Sequence, residues 1–248
     1  MPRNIFTYIG AGQVYLRRRD TNFGLLPIAD AGALSLAIET EEITQPQRTQ
    51  VGGGNLDKID RITKMGLSLT LSEQRPDDMA MMLYGTTTAV AAAAVVDEEH
   101  TAYEGALVMF DDQPDVSVAY VVENQAGDTT YVAGTDYNVT QLGITIIAGG
   151  GISSGDVISV SYTTLATNAL EMLVNSGFEY ELVFEGLNEA NGGVAQPVVL
   201  YRCKFSPAAN LDLITSEFAN PELSGEVLVD TSITGAGLSR YGKIWVPA

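Results

Sequence analysis

His100 is the only histidine in the chain, and it directly follows Glu98 and Glu99. A histidine beside carboxylates can do general acid–base work. A zinc set, however, needs several converging His, Cys or carboxylate ligands, and no second His or Cys stands near it. Nothing marks a serine and an aspartate as its partners in a nucleophilic triad. Gly10-Ala11-Gly12 and Val51-Gly52-Gly53-Gly54 have neither the lysine and hydroxyl of a phosphate loop nor a strand-to-helix setting, so they are expected to be turns. Asp111, Asp112 and Asp115 carry charge suited to calcium, but without EF-hand spacing they are expected to form a solvated loop. Carboxylate pairs are too common among thirty-one acidic residues to single out a glycosidase-like pair. These residues predict no catalytic site, cofactor or metal centre, and hence no enzyme.

Arg17, Arg18 and Arg19 form the one basic run. Alternation along a strand sends Arg17 and Arg19 to one face and Arg18 to the other. Two roles stay open for them: salt bridges between subunits, or a charged edge strand that discourages unwanted pairing.

The elements that position these groups are set by composition first. The 248 residues carry thirteen basic against thirty-one acidic side chains, a formal charge of −18. That balance argues against DNA binding through phosphate neutralisation. A chain this long buries roughly 70–75% of its unfolded surface and needs no covalent staples. Cys203 is the only cysteine, so no disulfide forms within the chain, and a buried, inert thiol in a reducing compartment is expected. Residues 1–10 lack the apolar core of an export signal. The longest apolar runs, such as the alanine-rich 89–96, fall short of the ~20 residues that span a bilayer.

Residues 32–44 alternate as a strand, with Leu34, Leu36 and Ile38 on one face and Ala33, Ser35, Ala37, Glu39 and Glu41 on the other. Residues 62–72 repeat the pattern, with Met65, Leu67, Leu69 and Leu71 opposite Lys64, Gly66, Ser68, Thr70 and Ser72. The two pair as a long hairpin. Between them, 43–61 reads as a loop too long for a simple turn, of the kind that becomes ordered against a partner. Pro76 at the first helical position, Asp77 and Asp78 in the first turn and Gly85 after Tyr84 bracket a short helix whose methionines fill a core. The Thr- and Ala-rich stretch 86–96 reads as a hinge. From 97 to 166, short strands at 106–110, 116–123, 129–132, 137–140, 144–147 and 157–162, separated by Gly, Pro and Asp turns, predict a small β-sandwich. Longer strands return at 177–185 and 195–205, followed by 211–218 and 226–229. The predicted organisation is a discontinuous outer domain, 1–96 and 167–248, holding an inserted domain at 97–166.

The order of features in the outer domain resembles the major tail tube proteins of long-tailed bacteriophages. The matching features are the opening strand at 12–19, the strand at 32–42, the long loop through Gly54, the 67–71 strand, the 76–84 helix ending at Gly85, and the closing segment 225–230. The insert, with Gly127-Asp128-Thr129-Thr130-Tyr131, Gly134-Thr135-Asp136-Tyr137 and Gly143-Ile144-Thr145-Ile146, looks like the immunoglobulin-like domains carried by phage tail and virion proteins. The resemblance implies a mainly β fold: a tail-tube-type sandwich or barrel with a flanking short helix and a long hairpin, plus an immunoglobulin-like sandwich.

It also implies a structural virion protein of the tail, assembled in the host bacterial cytoplasm. Homohexameric rings would stack into a tube that delivers the genome, capped by other tail proteins and inserted in no membrane. Double-stranded DNA would pass without specific binding. Ala33, Ser35, Ala37, Glu39, Lys64, Ser68, Thr70 and Ser72 would face the lumen. The loop, with Gln45, Pro46, Arg48, Gly52, Gly53, Gly54, Asn55, Asp57 and Lys58, would bridge stacked rings, and both termini would reach neighbours as arms. The alternatives are a tail terminator or baseplate hub that stops after one ring, or a host-surface-binding module acting through the insert. Exposed tyrosines among Tyr103, Tyr120 and Tyr131 would serve that last role, although all three are expected in strand cores.

Overall fold

A computed structural model describes residues 7–49 and 51–247. Residues 1–6 and Ala248, at the two termini expected to reach neighbours as arms, and Gln50 of the long loop lie outside the described residues. In chain order the elements are β1 (Gly10–Arg18), β2 (Leu26–Pro27), β3 (Ala31–Pro46), β4 (Asn55–Leu71), α1 (Pro76–Met82), β5 (Thr86–Val90), β6 (Ala94–Thr101), β7 (Leu107–Met109) and β8 (Val121–Asn124). They continue with β9 (Tyr137–Thr140), β10 (Gly143–Ile146), β11 (Val157–Thr163), β12 (Thr167–Glu171), β13 (Glu179–Asn188), β14 (Val194–Ala195), β15 (Val198–Phe205), β16 (Glu222–Val227) and β17 (Gly242–Ile244). The chain divides into one compact unit built from Met1–Thr87 with Leu170–Ala248 and another from Thr88–Ala169.

The first unit is a nine-stranded sheet in the order β2-β1-β13-β15-β16-β4-β3, with β14 beside β13 and β17 beside β15. Period-two alternation gives it one apolar face. Val14 and Leu16, Leu182, Leu200 with Cys203 and Phe205, Leu223 with Val227, and Leu67, Leu69 and Leu71 gather there with Met82 of α1 into one core. β16 and β17 share a lane alongside β15, meeting its residues 203–205 and 198–200 respectively. β4 follows that lane only as far as Gly66, opposite Glu226.

Helix α1 starts as expected, with Pro76 in the first turn and Asp77 and Asp78 near its N-terminus. Its end differs. The left-handed residue is Tyr84 (φ 50°), not Gly85. The Gly85 N–H donates to the Ala80 carbonyl at 2.7 Å and the Tyr84 N–H to Met81 at 3.5 Å, closing the last turn with the residue types exchanged. Tyr84 is held there by its own hydroxyl, which donates to the Phe205 carbonyl at 2.6 Å. Gly85 is required for a different reason: a Cβ would lie 2.6 Å from the Glu171 carbonyl oxygen. Gly85→Ala should therefore destabilise this unit by about 1–3 kcal/mol, the usual cost of overpacking. A lower urea midpoint with an unchanged slope is the expected measurement.

The second unit holds two three-stranded antiparallel sheets, β7-β10-β9 and β6-β11-β8. Val108, Phe110, Tyr120, Val122, Ile144, Ile146, Ile152, Ile158, Val160 and Tyr162 make its own core. It extends beyond the expected 97–166, because the Thr- and Ala-rich stretch predicted as a hinge is strand. β5 and β12 pair as a two-stranded ribbon, and β6 runs along β11. Composition hid β6, whose acidic residues 97–99 interrupt the apolar pattern. A bulge there puts Asp97 at φ 57°, where its carboxylate accepts from the Ser159 hydroxyl. Three expected strands differ as well. Residues 116–120 and 129–132 are not strands, apart from the bridge between Glu123 and Thr130. Residues 211–218 form no strand at all.

Candidate assembly surface

The β3–β4 hairpin carries the residues expected to line a lumen, and its register brings them together. Ala33 faces Thr70, Ser35 faces Ser68, Ala37 faces Gly66 and Glu39 faces Lys64, all on one side of the ribbon. Leu34 with Leu69, Leu36 with Leu67 and Ile38 with Met65 take the other side. Ser72 lies just past β4, its N–H donating to the Asp30 carbonyl at 2.7 Å. Thr63 is skipped in the pairing, since Glu39 meets Lys64 while Thr40 meets Ile62. A bulge shifts the phase of alternation by one residue. Beyond it, Arg61 opposite Glu41 and Ile59 opposite Ile43 join the polar side, and Ile62 moves to the apolar side. Strict alternation from Ser72 backwards misses this and assigns Arg61 to the wrong face.

The same polar face continues across β16, whose Glu222, Ser224 and Glu226 sit opposite Thr70, Ser68 and Gly66. The Ser68 hydroxyl donates to Glu222 at 2.6 Å. Sequence reasoning missed these acids because β16 reaches β4 only through a long-range pairing. Lys64 lies 3.7 Å from Glu39, an exposed pair worth a few tenths of a kcal/mol in stability, but one that locally cancels its charge.

Most of the expected inter-ring loop is strand. Gln45 and Pro46 belong to β3, and Asn55, Asp57 and Lys58 to β4. The connection is confined to residues 47–54, where the Gln47 N–H donates to the Gly54 carbonyl at 2.8 Å. Arg48 and the glycines stand in it. Gly52, Gly53 and Gly54 all have positive φ in open space. The span resembled a loop because residues 43–61 mix Pro, Gly and charge, while the ladder that makes them strand runs between residues far apart in sequence. Lys58 pairs with Glu42 at 2.8 Å on the apolar side of the bulged ribbon.

Each of the three arginines has a partner inside the chain. Arg17 pairs with Glu181 across the β1–β13 ladder. Arg18 pairs with Asp20 at 2.5 Å and lies over the Phe178 ring, on the opposite face as alternation predicts. Arg19 bonds Asp230 at 2.8 Å and the Tyr201 carbonyl at 2.5 Å. A salt bridge to a neighbouring subunit would have to compete with these contacts. Arg202 likewise pairs with Glu179 at 2.6 Å, which is the first cause of the lowered Glu179 pKa.

Asp230 is buried and its carboxyl is pulled down to about 2, first by the Ser232 hydroxyl at 2.7 Å and the Ser232 N–H, then by Arg19. An unfolded aspartate titrates near 3.9. The folded value is the lower of the two, so the stabilisation is complete above pH ~4 and is lost as pH falls through about 2. Asp230→Asn should cost about 2 kcal/mol at neutral pH, with the gap to wild type closing between pH 4 and 2. Denaturant titrations at several pH values check this.

In the second unit the His100 group is packed. Glu98 accepts from His100 at 2.5 Å, from the Asp111 N–H at 2.9 Å and from the Tyr162 hydroxyl at 2.7 Å. His100 stacks on Phe110. Both carboxylate oxygens of Glu98 are thus engaged within the fold. Asp115 accepts from both the hydroxyl and the N–H of Ser117. Among the described residues, no three His, Cys, Asp or Glu side chains gather as a metal site. Of the three tyrosines, Tyr120 is buried and Tyr131 packs on the core, but both lie outside strands, on the segments before and after β8. Tyr103 is exposed, contrary to the strand-core expectation, because it lies in the turn between β6 and β7. Burial also raises the Cys203 thiol to about 12, leaving it in the unreactive form.

Fold and surface define a class: a mainly antiparallel β chain of two units, with a long edge hairpin whose polar face carries small, hydroxylated and charged side chains. The chain belongs to the family described as Protein of unknown function UCP028589, whose profile matches residues 7–245. No curated protein matches the sequence.

Proposed function

We propose that this chain is a major tail tube protein of a long-tailed bacteriophage: hexameric rings stack into a tube, and double-stranded DNA passes through it toward the host. The observation that carries this is the hairpin. β3 is an edge strand of sixteen residues with one unpaired backbone edge. Such an edge invites pairing with another chain unless it is blunted or covered. Closing the sheet on neighbouring copies would satisfy those groups, as a barrel does.

The polar face suits a channel for DNA. Ala33, Ser35, Ala37, Ser68 and Thr70 present nothing that grips phosphate; Lys64, Arg17, Arg19 and Arg202 each have a carboxylate beside them, and Arg61 and Lys204 sit across their ladders from Glu41 and Glu226. Only charges within about 8 Å of phosphate act at physiological salt, so this local pairing weighs more than the total charge. Tail proteins at the tube ends, location in the virion tail, and an immunoglobulin-like insert carried by each subunit belong to the same proposal.

Electron microscopy of the purified protein is the direct test. Long tubes are expected, whereas isolated single rings would point to a terminator or hub. Ser35→Arg with Ser68→Arg should leave tails that form normally but eject DNA several-fold more slowly. Unchanged ejection from normally formed tails would remove these residues from the lumen.

A further inference from the structure

Within residues 211–218 three apolar side chains are almost completely exposed: Leu213 is 85% exposed, Ile214 97% and Phe218 94%, while Leu211 is half-buried. The segment forms no strand or helix, so no backbone ladder explains its sequence. Asp212 and Glu217 lie among these apolar residues. A run of large apolar side chains held in water marks an interaction site.

The same unit contains a cleft of about 610 Å³ between α1 and the β1–β2 connection. Its volume is in the range of pockets that hold ligand-sized groups. Leu26, Met81, Phe178 and Tyr180 give it apolar walls, with Arg18 and Arg75 among its lining residues. Arg18 is already matched by Asp20. Arg75 donates to the Pro27 carbonyl at 3.1 Å and, among the described residues, approaches a carboxylate at Asp78, 3.9 Å away. A guanidinium has five donors in a fork that fits a carboxylate, so Arg75 retains capacity for one more acid. Asp77 also lines the cleft, and buried Asp78 accepts from the Ala29 N–H at 3.0 Å.

We infer that this cleft receives residues 211–218 of a second copy of the chain, with Leu213, Ile214 and Phe218 against its apolar walls and Glu217 at Arg75. The match is one of chemistry and charge: an acidic, apolar segment and an apolar cleft with an under-used guanidinium. Segment and cleft are different surfaces, so the contact is head-to-tail, and repetition of it generates rings or filaments. The inference rests on the self-assembly proposed above and adds a second contact to it, separate from the hairpin.

The test places p-benzoylphenylalanine at position 218 in full-length chain, mixes it with isotopically labelled wild type under assembling conditions, and irradiates. Expected are cross-links between labelled and unlabelled chains that map to the cleft lining at residues 16–28, 75–87 or 175–180. Cross-links confined to one chain, or landing elsewhere on the partner, overturn the docking while leaving self-assembly intact. Wild type that stays monomeric at every concentration overturns the tube proposal itself, and this contact with it. In parallel, Arg75→Glu should raise the concentration for half-assembly at least tenfold, and adding Glu217→Arg should restore most of it. If Arg75→Glu assembles like wild type, or the second change restores nothing in a chain shown to be folded by circular dichroism, Glu217 is not the partner of Arg75 and the docking fails.

Discussion

Under the proposed tube assembly, deleting residues 52–56 should give a chain that folds but fails to polymerise. The deletion removes three glycines in open space and the first two residues of β4, Asn55 and Leu56. None of these touches a core. The buried part of β4 begins at Leu67, a long way down the hairpin. Thermal unfolding should therefore match wild type within about 0.5 kcal/mol, the usual range for surface changes. The assembled fraction, read by sedimentation or negative-stain microscopy, should fall to background. Tubes of normal length from this variant would show that the hairpin tip does not bridge rings. Residues 43–46 and 57–61 are paired strand, so the deletion removes the tip together with the first residues of the ribbon that carries it.

Leu69→Ala should cost about 2–5 kcal/mol, as cavity-forming changes at buried leucines do. Leu69 has no exposed surface, faces Leu34 on β3 and Leu223 on β16, and sits in the core that α1 covers. The loss should appear in one transition only. The second unit has a separate core centred on Ile158, Val160 and Ile146, and hydrogen exchange at its β11 amides should show the wild-type transition. Ile158→Ala should give the opposite pattern. Equal shifts of both transitions in either variant would mean that the two cores unfold as one.

Much of the hairpin was legible from local pattern. Alternation at 33–39 and 64–72 is a period-two signal, and a buried face specifies register strongly, because a one-residue slip would turn every leucine outward. Pro76, Asp77 and Asp78 likewise marked the start of α1 by chemistry within a single turn. The helix end was legible only in part. Glycine is the usual left-handed residue, but here Tyr84 takes that role because Phe205, far along the chain, binds its hydroxyl. The strand expected at 211–218 fails for a related reason: its apolar alternation has no neighbouring strand to pair with, and β propensity is realised only against a partner.

The sequence by itself determined the β character, the absence of a disulfide framework, the inserted second unit, and the small, hydroxylated face of the hairpin. These depend on residue type and short-range spacing. Tertiary structure alone decided the bulge at Thr63 that turns Arg61 onto the polar face, the acids of β16 that extend this face, and the carboxylate partners of Arg17 and Arg19. Each of these depends on which distant strand lies alongside, and alternation within one strand carries no information about its neighbour.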